Sequence, residues 1–283
     1  MAYNQSLSSE YPGYVVILID QSGSMSSPFG GSTGGSKAEE CAKAVNRVIR
    51  EMGLACTAGQ IIKNRCDISV LTYGKSGDTA INAFSGNLAS KSVVTMEELA
   101  QNCLKVNTLK MKISDGAGGL VEVDEQFPVW IEPYAVGGTP MAEAFEEAYK
   151  LVDNWTKTHQ ASFPPIVINI TDGEPNDQAR AKTAALKLAQ LETSDGNTLI
   201  LNSHISESKA AKIELPASTN ELPQGDNNAK FLFDISSELP PVMRERAGAV
   251  GYQPTPGVRG FVYNADAETM IRLLDIGTRA KLQ

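Results

Sequence analysis

Residues 14–24 read YVVILIDQSGS, and the change of character inside this stretch decides the fold. Six apolar residues, Tyr14 to Ile19, follow one another without a polar break. A strand with one wet face would alternate, so an unbroken run predicts a central strand covered on both faces. An acid, Asp20, ends the run, and a glycine- and serine-rich loop follows. That is the form of a strand delivering a polar loop to the carboxyl edge of a sheet.

The rest of the chain repeats the rhythm. A helix is predicted over about 36–52, opened by a capping box of Ser36 with Glu39 and ended by Gly53. DISVLTY at 67–73 and TAINAF at 79–84 read as a hairpin. A second long helix is predicted to start at Thr139-Pro140, with Thr139 as its N-cap. PIVINI at 165–170 is a second buried strand, followed by a helix over about 177–192. TLILNSHI at 198–205 and AKFLFDI at 229–235 are expected to complete the parallel set. The expected architecture is α/β: a doubly wound, mostly parallel sheet with one antiparallel edge strand and helices on both faces. Residues 1–12 read as an extension and 13–249 as the main domain. Residues 250–283, with GFVYNA and an amphipathic helix, read as an addition packed on that domain. Residues 86–133 interrupt the pattern with a helix-like TMEELAQNCL and a hairpin, KMKIS-DGAGG-LVEVDE, and are an expected insertion.

Composition narrows the functional classes. The 283 residues are 42% hydrophobic and 20% charged, which suits a globular chain with a substantial core. A net charge of −8, with no basic run, argues against nucleic acid or an anionic membrane as partner. The polar start MAYNQSLSSEYPG does not read as a signal peptide, and no apolar run approaches a membrane span. A cytoplasmic location and four reduced thiols, Cys41, Cys56, Cys66 and Cys103, are the resulting expectations.

Three separated fragments carry the chemistry. Asp20-Gln21-Ser22-Gly23-Ser24 follows the first buried strand, and Thr171-Asp172-Gly173-Glu174 follows the second. Gly137-Gly138-Thr139-Pro140 enters from a loop. In a doubly wound sheet the first two stand at the edge where ligands bind. Asp20, Ser22, Ser24, Thr139 and Asp172 offer two carboxylates and three hydroxyls, with no imidazole or thiolate. Such a set suits a hard divalent cation, Mg2+ first, with Ca2+ or Mn2+ as alternatives. Two acids and three neutral hydroxyls under-neutralise the ion, which leaves it receptive to one more anionic oxygen.

DQSGS, GGT and TDG, in this order and after these elements, resemble the metal-ion-dependent adhesion site of von Willebrand factor A (vWA) domains. The resemblance covers roughly residues 13–235, and all five positions carry the expected residue type. It implies that Ser22 and Ser24 coordinate the metal directly, and that Asp20 and Asp172 act largely through water or as switchable ligands. Thr139 would join when ligand is bound, and a partner's Glu or Asp carboxylate would complete the octahedron. The chain is more similar to intracellular bacterial members, such as the tellurite-resistance-associated type, than to secreted adhesion modules. That placement implies a protein partner from a kinase, phosphatase or ATPase system, and no catalysis.

Two alternatives stay open. Asp20 and Asp172 could mimic the nucleophile and Mg2+ ligands of a haloacid-dehalogenase-like phosphohydrolase or phosphotransferase. Ser22, however, stands where such enzymes place a general acid. A structural subunit of a constitutive complex is the other. Each fragment alone also has a plain structural role: strand end, turn or cap. GGSTGGSK at 30–37 resembles a phosphate-binding loop, but Ser36 replaces its required glycine and Ala38 its Ser/Thr. His159 and His204 read as isolated, Trp130 and Trp155 as packing residues. The acidic clusters Glu143/Glu146/Glu147 and Glu122/Asp124/Glu125 read as solvated faces. The hairpin tip, with Gly116, Gly118 and Gly119, is an expected recognition rim beside the ion.

Overall fold

The computed structural model describes residues 3–30, 35–75, 77–114, 119–205 and 211–279. Its strands are β1 (Gly13–Asp20), β2 (Cys66–Gly74), β3 (Gly77–Asn82), β4 (Val94–Thr95), β5 (Lys105–Ser114), β6 (Leu120–Val129), β7 (Ile166–Thr171), β8 (Leu199–Ile205), β9 (Ile213–Glu214) and β10 (Phe261–Ala265). Its helices are α1 (Lys37–Ala55), α2 (Met96–Gln101), α3 (Met141–Thr156), α4 (Gln178–Leu188), α5 (Asn227–Ile235), α6 (Pro241–Ala249) and α7 (Ala267–Arg279).

The central sheet runs β9-β10-β8-β7-β1-β2-β3, with β4 also paired to β2. β10, β8, β7, β1 and β2 are mutually parallel, while β3, β4 and β9 pair antiparallel at the margins. The fold is therefore α/β, with antiparallel strands at both edges where one was expected.

All eight residues of β1 are buried, and their alternation divides them between two cores. Val15, Ile17 and Ile19 join the layer built with α1 and α7. Tyr14, Val16 and Leu18 join the layer under α3, α4 and α5. The sequence shows no alternation because each face has its own helices to pack against. The chain leaves β1 toward β2 on one side and later returns to β7 on the other. The strand order therefore reverses at β1 and β7, the usual place for a ligand crevice.

Several local expectations hold. Ser36 and Glu39 form the reciprocal capping box of α1. The four cysteines are free thiols. Among the described residues no helix is long and apolar enough to cross a membrane. Others need correction. AKFLFDI belongs to helix α5, whose N-cap Asp226 accepts from the Ala229 N–H at 2.8 Å. Phe231, Leu232, Phe233 and Ile235 are buried, while Asn227, Lys230 and Asp234 form a narrow wet stripe; in a helix of nine residues the apolar run FLF reads equally as a buried strand. Its expected place beside β8 is taken by β10 from the tail.

α1 runs past Gly53 to Ala55, and α4 stops at Leu188, before a small turn pairing Glu192 with Asn197. The N-cap of α3 is Pro140, with no side-chain cap bond, so Thr139 is not the expected cap. Glu143 and Glu146 are not simply solvated: both hold Arg180, tying α3 to α4.

Candidate metal centre

The site begins with the ends of two neighbouring parallel strands. Ile19 pairs with Ile170 in register, so Asp20 and Thr171 leave the sheet side by side. Asp20 is fully buried. Its Oδ1 accepts from the Ser22 N–H at 2.8 Å, and its Oδ2 from the Thr171 hydroxyl at 2.7 Å. Every donor to this carboxylate is neutral. Burial dominates, and it pushes the Asp20 carboxyl up to about 6 despite these hydrogen bonds.

The loop after β1 then turns outward. Ser22 is buried and Ser24 exposed, with their hydroxyl oxygens 3.1 Å apart. Ser24 donates to Asp172 Oδ1 at 2.7 Å across the crevice. The second Asp172 oxygen accepts from Lys37 Nζ, also at 2.7 Å. This ion pair is sealed: the side chains of Lys37 and Asp172 are 5% and 0% exposed.

Thr139 arrives on the third fragment. A Cβ added to Gly173 would lie 3.4 Å from the Thr139 hydroxyl oxygen, which places that hydroxyl beside the Asp172 loop. Asn176 fixes the segment, accepting from the Thr139 N–H at 3.0 Å while its own N–H donates to the Thr139 carbonyl. Backbone bonds join the fragment to the first loop: Gly23 N–H donates to the Gly137 carbonyl at 2.9 Å, and Val136 N–H to the Gln21 carbonyl at 2.7 Å. The approach needs glycine. Gly137 has φ +86°, and a Cβ there would meet the Gly74 carbonyl oxygen at 2.3 Å.

The structure thus brings Asp20, Ser22, Ser24 and Asp172 into one hydrogen-bonded cluster, with Thr139 at its lip. The donor set fits a hard divalent ion in kind, being oxygen throughout. Among the described residues no group of three or more His, Cys, Asp or Glu side chains is placed to hold a metal ion.

Lys37 is the residue the sequence reading missed. It entered only as the lysine of an imperfect phosphate-binding loop, yet it lies against the expected metal ligand Asp172. Trp130 and Ile131, at the base of the β5–β6 hairpin, bond to Asn46 of α1, while Glu125 farther along pairs with Arg50. Arg50 lies farther than Asn46 from Lys37 along α1, so the described contacts of the hairpin with α1 run away from the Lys37 end. Gly116 and Gly118 of its tip lie outside the described residues. The exposed side chains beside the site include the apolar Tyr134 and Val136 and, on the Asp172 loop, Glu174 and Asn176, with Lys75 Nζ 4.4 Å from the Tyr134 ring centroid. A groove of about 710 Å3 between α1 and the hairpin is lined by none of the five predicted residues.

No protein-family model matches the chain, and no curated protein matches it. Solved structures do. The chain is similar to the manganese-loaded TRAP protein of Plasmodium vivax at 17% identity, over 93% of this chain and 72% of that one, with a TM-score of 0.43. It is similar to proximal thread matrix protein 1 from the mussel byssus at 12% identity, over 81% of this chain, with a TM-score of 0.43. It spans 42% of the length of that mussel protein. A third match is the ArnB paralog VWA2 from Sulfolobus acidocaldarius, at 14% identity over 71% of this chain and 36% of that one, TM-score 0.34.

Proposed function

We propose that the chain is a vWA-like binding module that engages a partner protein's Glu or Asp carboxylate through a divalent cation, Mg2+ first. The observation that carries this reading is the convergence of three sequence-distant fragments on one oxygen cluster at the β1/β7 crevice. In this reading Ser22 and Ser24 hold the ion directly, each keeping its hydroxyl proton for a neighbour. The Ser24 proton already points to Asp172. Asp20 sits beneath as the buried counter-charge. Thr139 stands beside the Asp172 loop, where its oxygen can join an occupied site. The ion supplies a Lewis-acidic point to which a carboxylate oxygen binds.

Turnover is not part of the proposal. Position 22 is a serine where a phosphatase-like site needs a general acid. Partner selection falls to Tyr134 and Val136, which are exposed beside the site, because a metal–carboxylate contact alone does not distinguish one protein surface from another.

The test is thermal. A divalent ion at ten times its dissociation constant adds about 1.4 kcal/mol, a rise of about 2–3 °C for a chain of this size. Asp20→Ala and Ser22→Ala should lose that rise. If both keep the full difference between Mg2+ and EDTA, the ion is bound elsewhere and the reading fails.

A further inference from the structure

Lys37 is an unusual choice where it stands. It is the first residue of α1, where the unpaired amides of the helix start disfavour a cation. Glu39 and Glu40 follow in the same turn, as that field prefers. A lysine at a helix start normally extends into water; this one is buried, its ammonium against Asp172 Oδ2. The capping box at Ser36 fixes the backbone from which it reaches. Local preference is thus overridden at one position, and that position touches the candidate site.

The charges of the cluster explain what this does. Among the described residues Asp20 and Asp172 are its two acids, and Lys37 pairs with one of them, leaving a single net negative charge. Both oxygens of Asp172 are engaged, one by Ser24 and one by Lys37. Asp20 is engaged only by neutral donors. A divalent ion held by the serines would turn the cluster from one net negative charge to one net positive.

We infer that Lys37 is a positioning residue that holds Asp172 back from the metal and keeps the loaded site net positive, so that the ion and an anionic oxygen ligand bind as a pair. The inference rests on the metal-binding reading and deepens it. By itself the ion is held weakly, because one of two acids is already neutralised. A carboxylate then removes the excess positive charge, and each ligand strengthens the other's binding to the same degree.

The experiment is calorimetric titration of the full chain with Mn2+, alone and in excess acetate. In the wild type, acetate should raise Mn2+ affinity. Lys37→Met should bind Mn2+ alone about tenfold tighter or more, since one unit of opposing charge is gone from a buried site, and acetate should add little. Lys37→Arg should behave as wild type. Lys37→Met with Asp172→Asn restores the single net negative charge and should return to within about threefold of wild type. Should Lys37→Met alone not fold, the same tenfold difference is read between Asp172→Asn and the double variant. Equal Mn2+ affinity within either pair, with acetate coupling unchanged, overturns the role of Lys37 and leaves the binding reading standing. Absence of Mn2+ binding in every form, wild type included, overturns the reading beneath it.

Discussion

Two neighbouring strand ends each deliver one aspartate to the crevice and treat it differently. Asp20, the last residue of β1, is buried and held by a hydroxyl and an amide. Asp172, after β7, is held by a hydroxyl and an ammonium. The first is a charge stored without a counter-ion; the second is already compensated. This teaches that identical residue types at equivalent strand ends need not make equivalent ligands. The β1 side is where added positive charge is missing, and the β7 side is where it is already provided.

The largest expected effect breaks the comparison from the compensated side. In metal-free buffer, Lys37→Met leaves the buried Asp172 charge without its partner and should cost about 3–5 kcal/mol in urea unfolding. Thr171→Val removes a neutral donor from Asp20 and should cost less, about 1–3 kcal/mol. Mn2+ should recover more stability in Lys37→Met than in wild type. Equal losses in the two variants would show that the aspartates are held alike.

The next effect is in pH dependence, measured in EDTA. Burial raises the Asp20 carboxyl from 3.8 to about 6, so its ionisation is costlier in the folded chain. Stability from this group therefore rises as pH falls from about 6 toward 3.8. His204 is opposite: burial lowers it from 6.5 to about 4. Its contribution is full above 6.5 and is lost as pH falls toward 4. Each is on the order of 3 kcal/mol, and in the wild type they oppose each other. Asp20→Asn should expose the loss on acidification, and His204→Gln should expose the gain. Parallel pH curves for both variants would contradict the assignment.

The smallest effect is at Thr139. Because its side chain does not cap α3, Thr139→Val should change stability by no more than about 0.5 kcal/mol. Mn2+ affinity without acetate should also stay close to wild type, while the acetate enhancement should fall. A large loss of stability in differential scanning calorimetry would assign the residue a structural role instead.

What was legible in the sequence is what local pattern controls. The unbroken runs at 14–19 and 165–170 announce two-sided burial, and both are central strands. The three fragments converge because two follow those strands directly. The capping box at Ser36 is written in four residues and forms as written. Tertiary context controls the rest. α5 is nine residues long and its wet stripe is only Asn227, Lys230 and Asp234, too short a pattern to be told from a buried strand. The tail strand β10 gives no sign that it enters the sheet beside β8. Lys37 lies beyond a glycine- and serine-rich loop, and only the crossing of α1 behind the crevice turns it inward. Nothing local shows that the backbones of Gly74 and Gly137 touch.

The most direct measurement is the position of a bound ion. In a crystal grown with Mn2+, anomalous scattering should place a single strong peak within coordination distance of the Ser22 and Ser24 hydroxyl oxygens. Lys37 should still be paired with Asp172. A peak away from both serines, or an ion coordinated by Asp172 with the Lys37 ammonium displaced into solvent, would contradict the account.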